Sequence, residues 1–264
     1  MISSLTEVLG QNFMFWLGFI LTLIYGLCVG SFLNVLIYRV PIHESIVKRN
    51  SHCPKCNSYI KWYDNIPLIS YIVLRGRCRN CKSRISMQYP VVEFLNAFLW
   101  ELLYIKYQYS IETLIYFVLS SVLLTISFID EKTFEIPMCF NWFLISKGVV
   151  YTIYDHTHIV SHIVGALCIS GFLFIVWWVT NGQGLGFGDI KLMFSCGLIV
   201  GWKIVVIGFL IGCILAIIIH SIRMKFSNKE HTLAFGPYLS LGIYISLFIG
   251  VALMNLYLGL IGLR

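Results

Sequence analysis

Residues 13–38, FMFWLGFILTLIYGLCVGSFLNVLIY, run for 26 positions without a charged side chain. A run of that length is long enough to cross a bilayer as a helix. No Lys or Arg precedes Arg39 and Glu7 is the one acid, so the basic start of a cleavable signal peptide is missing and the helix is expected to be retained. Working outward, further apolar runs stand near 91–105, 112–129, 138–154, 159–180, 190–201, 203–222 and 236–262, separated by short polar or Gly/Pro-bearing breaks. The 190–201 run is short for a full crossing, and it and 203–222 are expected to be either tilted or broken around Gly197, Gly201 and Gly208. Over all 264 residues, 58% are hydrophobic and 12% charged, against roughly 45–50% apolar in soluble domains. A water-soluble globule is excluded. The expected fold is an all-α polytopic membrane protein of about eight transmembrane helices with a small cytoplasmic insert: residues 1–38 the first helix, 39–90 the insert, 91–264 the main membrane domain.

The net charge of +7 is local rather than general. Residues 39–90 hold ten Lys/Arg against Glu44 and Asp64, while the rest of the chain holds nine against ten. With the N-terminus outside, fifteen Lys/Arg fall inside: those ten plus Lys132, Lys191, Arg223, Lys225 and Lys229. Only Lys106, Lys203 and Arg264 fall outside, the asymmetry that the positive-inside rule demands. Lys147 falls within a span, where it faces a polar cavity or snorkels. The lipid bilayer accounts for the basic loop, and no nucleic-acid partner is expected.

Within that loop stand Cys53-Pro-Lys-Cys56 and Cys78-Arg-Asn-Cys81, separated by 21 residues, a zinc-ribbon spacing. Each CxxC turn aims two sulfurs at one point, and Zn2+ accepts four thiolates in a closed, structural site with no open position for catalysis. Two disulfides or four ordinary thiols are the alternatives, the first disfavoured in a reducing cytoplasm. The other cysteines, Cys28, Cys139, Cys168, Cys196 and Cys213, read as small apolar residues in or beside spans.

Two acids stand at membrane borders. Asp130 closes the run Leu123–Ile129, and Asp189 follows Gly182-Gln183-Gly184-Leu185-Gly186-Phe187-Gly188. The topology puts both at cytoplasmic helix ends, where they can meet. Either alone reads as a solvated helix terminus. Together they can share one proton, one carboxylate activating water while the other acid polarises a scissile carbonyl. Gly186 and Gly188 would let an extended peptide approach the carboxylate. The glycine run is no nucleotide loop, since its flanks are membrane spans rather than a strand and a helix. Glu131 and Glu135 read as a solvated loop and backup acids. His156, His158 and His162 read as a solvated outer loop, and Glu93 as lining the site or pairing with an Arg of the insert.

The run Gly30-Ser31-Phe32-Leu33-Asn34-Val35-Leu36-Ile37-Tyr38-Arg39-Val40-Pro41, the CxxC pairs around Asp64-Asn65-Ile66-Pro67, Tyr89-Pro90-Val91-Val92-Glu93, Gly186-Phe187-Gly188-Asp189-Ile190-Lys191 and Phe235-Gly236-Pro237-Tyr238 together resemble the bacterial type IV prepilin peptidases, aspartic peptidases of the GxGD type. The likeness runs through nearly the whole chain. It implies an aspartic endopeptidase domain over 91–264 in the bacterial inner membrane, with Asp130 and Asp189 as catalytic residues and type IV prepilins or type II secretion pseudopilins as substrates. It also implies a second activity, N-methylation of the new amino terminus from S-adenosylmethionine, whose binding residues no motif discloses. A non-catalytic scaffold of a pilus or secretion machine is the rival from another class, and a transporter a more distant one.

Overall fold

The computed structural model describes residues 2–47, 51–226 and 233–262, with side chains from residue 12 onward apart from those of residues 225 and 226. Lys48, Arg49, Lys229 and Arg264, counted among the loop charges above, lie outside the described residues, as does the side chain of Lys225. The elements are α1 (Ile2–Arg39), α2 (Ile69–Val73), α3 (Gln88–Tyr107), α4 (Ile111–Thr133), α5 (Met138–Tyr154), α6 (Ile159–Val179), α7 (Phe187–Phe226) and α8 (Gly236–Leu260), with 3-10 turns at Trp62–Asn65 and His156–His158. Among the described residues no strand forms, only isolated bridges within the insert. Five helical stretches, 12–39, 111–133, 156–179, 187–224 and 236–260, are long and apolar enough to cross a membrane. The protein is an all-helical, multi-pass membrane protein.

The chain forms two compact units, Met1–Ser121 and Val122–Arg264, with α4 passing from one into the other. In the first, α1 lies against α3 through small residues four apart. A Cβ on Gly26 would stand 2.8 Å from Ala97 Cα, and one on Gly30 2.7 Å from Glu93 Cα. Lipid supplies no hydrophobic drive between helices, so such backbone contact must come from small side chains, and polar groups then bond across it. Asn96 does so: its Nδ2 donates to Gly26 O at 2.7 Å and its Oδ1 accepts from Ser121 Oγ at 2.8 Å. Trp100 stacks on Phe117 with ring centroids 4.4 Å apart.

The second unit turns on Gly201. Its φ of 77° and ψ of 171° break α7 into two limbs, 187–200 and 202–226. The first limb is antiparallel to α6, with Gly201 beside Ser161, Gly197 beside Gly165 and Phe187 beside Trp177. The second is antiparallel to α8, with Ile204 beside Gly250, Gly208 beside Ile243 and Gly212 beside Leu239. Because α8 begins against Asp130, an electrostatic neighbour of Asp189 in the first limb, the second limb returns to the end from which the first set out. The expected break therefore falls at Gly201. Lys147 sits on the exposed face of α5 with its ammonium 5.4 Å from the Phe143 ring centroid, rather than in a cavity.

A Cβ on Gly165 would lie 2.5 Å from Gly197 O, so neither glycine tolerates a side chain. Gly197→Val is expected to destabilise the purified protein by about 3 kcal/mol or more, read as a fall in thermal midpoint. Gly171→Ala, whose Cβ meets nothing within 4 Å, serves as the unaffected control.

Candidate functional site

Asp130 occupies the last turn of α4 and is 5% exposed. The helix ends behind it because Phe134 adopts φ 55° and donates its N–H to Asp130 O at 2.8 Å, while Thr133 Oγ1 donates to Ile129 O at 3.0 Å. A positive φ is costly for a bulky residue, and such strain gathers at functional positions. The Asp130 carboxylate accepts the N–H of Gly236 at 2.9 Å, the first residue of α8, with Pro237 just behind it. A Cβ on Gly236 would lie 2.7 Å from Asp130 Oδ2. The aspartate of one helix thus caps the start of another, where unpaired N–H groups and the helix dipole favour negative charge.

Asp189 sits in the first turn of α7, is 7% exposed, and is an electrostatic neighbour of Asp130. The structure therefore brings together the two acids that the sequence places 59 positions apart. The flanking glycines divide in role. Gly186 is exposed, accepts the Asp189 N–H at 3.1 Å, and a Cβ there would stand 3.2 Å from Asp189 Oδ2. The space at Gly188 is taken by Ile136, which a Cβ would approach to 3.1 Å. Lys191 folds back over the Phe187 ring at 4.5 Å and donates to Met138 Sδ at 3.0 Å. Glu131 and Glu135 are exposed, Glu131 pairing with Arg223 at 3.2 Å.

Sequence reasoning missed Gly236, although a glycine directly before a proline that opens an apolar run marks a helix start with an orphan N–H. It also passed over Glu101, buried on α3 with neither carboxyl oxygen hydrogen-bonded, and Asn141 on α5, buried with Nδ2 unpartnered. Of the outer histidines, His156 and His158 are exposed as expected, but His162 is not. His162 is 5% exposed, and it and His158 bond the Asp155 carboxylate at 3.3 and 2.9 Å. Burial works to raise the Asp155 pKa, but these bonds and that from Thr157 prevail and hold it at about 2.

In the first unit the four sulfurs of Cys53, Cys56, Cys78 and Cys81 lie within 4.8 Å of one another. Cys53 and Cys81 stand 3.8 Å apart, too far for a disulfide and equal to the edge of about 3.8 Å expected of a tetrahedron with metal–sulfur bonds of about 2.3 Å. Both knuckles have one construction, the repeat Cys-x-x-Cys-x-Ser. Cys53 N and Cys78 N donate to Ser58 O and Ser83 O at 3.0 and 2.8 Å, and Asn57 and Lys82 return to Cys53 O and Cys78 O at positive φ. Hydrogen bonds from Ser83, side chain first and backbone second, pull the Cys81 thiol down to about 6, which favours the ligating thiolate. The donor set fits a tetrahedral soft-ligand ion.

Among the described residues no arginine is paired with Glu93. Its Oε2 accepts the N–H of Leu68 at 2.8 Å, pinning a residue at φ 58°, and Ser31 also bonds the carboxylate. This tie joins the insert to α1 and α3 across a cavity of about 400 Å3 whose lining includes Asn34, Tyr38, Arg39, Tyr71 and Arg84. Asn34 spends its Nδ2 on Gly30 O and Tyr89 O and leaves Oδ1 buried without a partner.

These arrangements define a polytopic membrane protein with paired aspartates at helix starts in one unit and a four-thiolate insert in the other. The chain belongs to the type IV leader peptidase family. Residues 24–107 match the bacterial Peptidase A24 N-terminal domain and residues 117–221 the type IV leader peptidase family itself. It is similar to the prepilin leader peptidase/N-methyltransferase of Aeromonas salmonicida, 30% identical over 93% of this chain and 96% of that protein. The proteins of that name from Neisseria gonorrhoeae (32% identical; 85% and 88% covered) and Pseudomonas aeruginosa (30%; 94% and 96%) are also similar. No solved structure matches.

Cys53→Ser is expected to lower bound metal from one ion per chain to about a tenth or less, read by elemental analysis of purified protein. Unchanged metal content would refute the four-thiolate centre.

Proposed function

We propose that this protein is a bifunctional enzyme of the bacterial inner membrane. It cleaves the basic leader from type IV prepilins or type II secretion pseudopilins, then methylates the new N-terminal amine. The observation that carries the peptidase reading is the convergence of Asp130 and Asp189, both buried, at the starts of α8 and α7. In this reading α1, α3, α4, α5, α6, the two limbs of α7 and α8 make eight spans. The charge asymmetry puts the N-terminus outside, with residues 39–90 and the loops after α4 and α6 in the cytoplasm.

The two carboxylates hold one proton between them. The ionised one takes a proton from water as its oxygen attacks the scissile carbonyl, and the protonated one hydrogen-bonds the carbonyl oxygen; collapse breaks the C–N bond and the amine leaves protonated. The Gly236 N–H keeps Asp130 oriented, and the open flank at Gly186 admits the extended peptide. A prepilin carries a soluble basic leader followed by an apolar helix, so its scissile bond belongs at the membrane border.

Zn2+ is the ion proposed for the cysteine centre, where it holds together an insert too small to fold on a core of its own. S-adenosylmethionine, when bound, supplies an electrophilic methyl group. The cavity of about 400 Å3 has the size of a small-molecule site, and its orphaned Asn34 Oδ1 is an acceptor for a ligand N–H. Asn34, Tyr38 and Tyr71 would hold the cofactor, with Arg39 and Arg84 supplying positive charge toward its carboxylate.

Asp130→Asn and Asp189→Asn are each expected to reduce cleavage of a prepilin by detergent-solubilised protein at least a thousandfold while folding and metal content persist. A scaffold would tolerate both changes. Asn34→Ala is expected to cut methyl transfer to pre-cleaved pilin at least tenfold, followed with labelled S-adenosylmethionine, and to leave cleavage within twofold. Equal loss of both activities would remove the cavity from the methylation reading.

A further inference from the structure

α5 and α6 meet at the Asp155 turn and each packs on the first limb of α7, but they scarcely touch one another along their length. They leave a wedge of about 310 Å3, almost wholly apolar, with Ile145 of α5 on one side, Ser170, Gly171 and Phe174 of α6 on the other, and Ile190 and Phe194 of α7 behind. A Cβ on Gly171 would meet nothing within 4 Å, and Phe174 is 47% exposed, so the wedge opens sideways from the unit.

We propose that this wedge seats the first two turns of the client's apolar helix, immediately beyond the scissile bond. The inference rests on the peptidase reading and adds to it where the client lies. The back wall begins at Ile190, the residue after Asp189, and continues one turn to Phe194. The Asp189 carboxylate and the wedge's back wall thus belong to the same opening turns of α7, so a peptide bond held at that carboxylate lies within about one helical turn of the wedge. Gly171 and Ser170 form a small-residue face of the kind that lets another helix approach closely within lipid. Lys191 stands at the margin with its ammonium turned onto the Phe187 ring and Met138 Sδ, so no charge projects into the apolar space. The same cation disfavours entry of a basic leader. The client helix accordingly runs parallel to the first limb of α7, with its leader toward water.

The experiment uses the full-length detergent-solubilised protein, a complete prepilin, and a water-soluble peptide containing the leader and only the first few mature residues. Gly171→Leu fills the wedge and improves helix propensity, so folding is not put at risk. The expected result is at least a tenfold loss of kcat/KM on the prepilin and less than twofold on the peptide. A photo-crosslinker replacing Phe174 should capture the client's apolar segment, and this decides the matter if the peptide is a poor substrate. Equal effects on both substrates, no effect on either, or photoproducts with lipid or detergent alone would overturn the assignment. Wild-type protein inert toward both substrates would instead overturn the peptidase reading beneath it.

Discussion

A carboxylate can be kept out of bulk water at a membrane border only if something other than water answers its charge, and in the second unit that something is the start of a helix. Asp130 spends one oxygen on the N–H of Gly236, and Asp189 lies in the first turn of its own helix. Free N–H groups and the aligned peptide dipoles offset part of the desolvation cost without introducing a counter-ion. An arginine would instead answer the charge with a full counter-ion. The requirement explains the path of the chain: α4 must end, and α7 and α8 must begin, at one end of the unit. The reversal at Gly201 makes this possible, since it brings the chain back in time for α8 to start beside Asp130.

The first unit meets a different constraint. The insert is short and surrounded by cations, with too little apolar mass for a core, and it is held at two points. Four cysteine sulfurs converge at one, and at the other Glu93 reaches from α3 to the backbone of Leu68. The second tie turns a buried acid, costly by itself, into a strut between the helices and the insert.

Much of this was legible in the sequence. Uncharged runs gave the helices, CxxC spacing gave the thiolate cluster, and two border aspartates gave the pair. What was not legible lies in residues whose role depends on a distant backbone. Gly236 is silent until Asp130 is known to stand against it, and the glycine at 188 reads like the one at 186 until Ile136 occupies its space. Glu93 was open in sequence to an arginine of the insert or to lining a site; it lines the cavity and bonds the Leu68 N–H and Ser31, partners that only the fold brings to it. His162 is polar by type and buried by place, since its Asp155 partner precedes it by seven residues across a turn that periodicity does not resolve.

The limb from 187 to 200 has fourteen residues, about 21 Å of helix, and α5 with seventeen spans about 26 Å. In the eight-span reading both fall short of a hydrocarbon layer about 30 Å thick, a mismatch that local thinning of the bilayer would accommodate. Such thinning would draw the hydration boundary inward along the limb that carries Asp189. On that reading, water and a polar peptide bond would reach the aspartates without crossing a full apolar layer, while the longer helices α4 and α8 would match the bilayer at normal thickness.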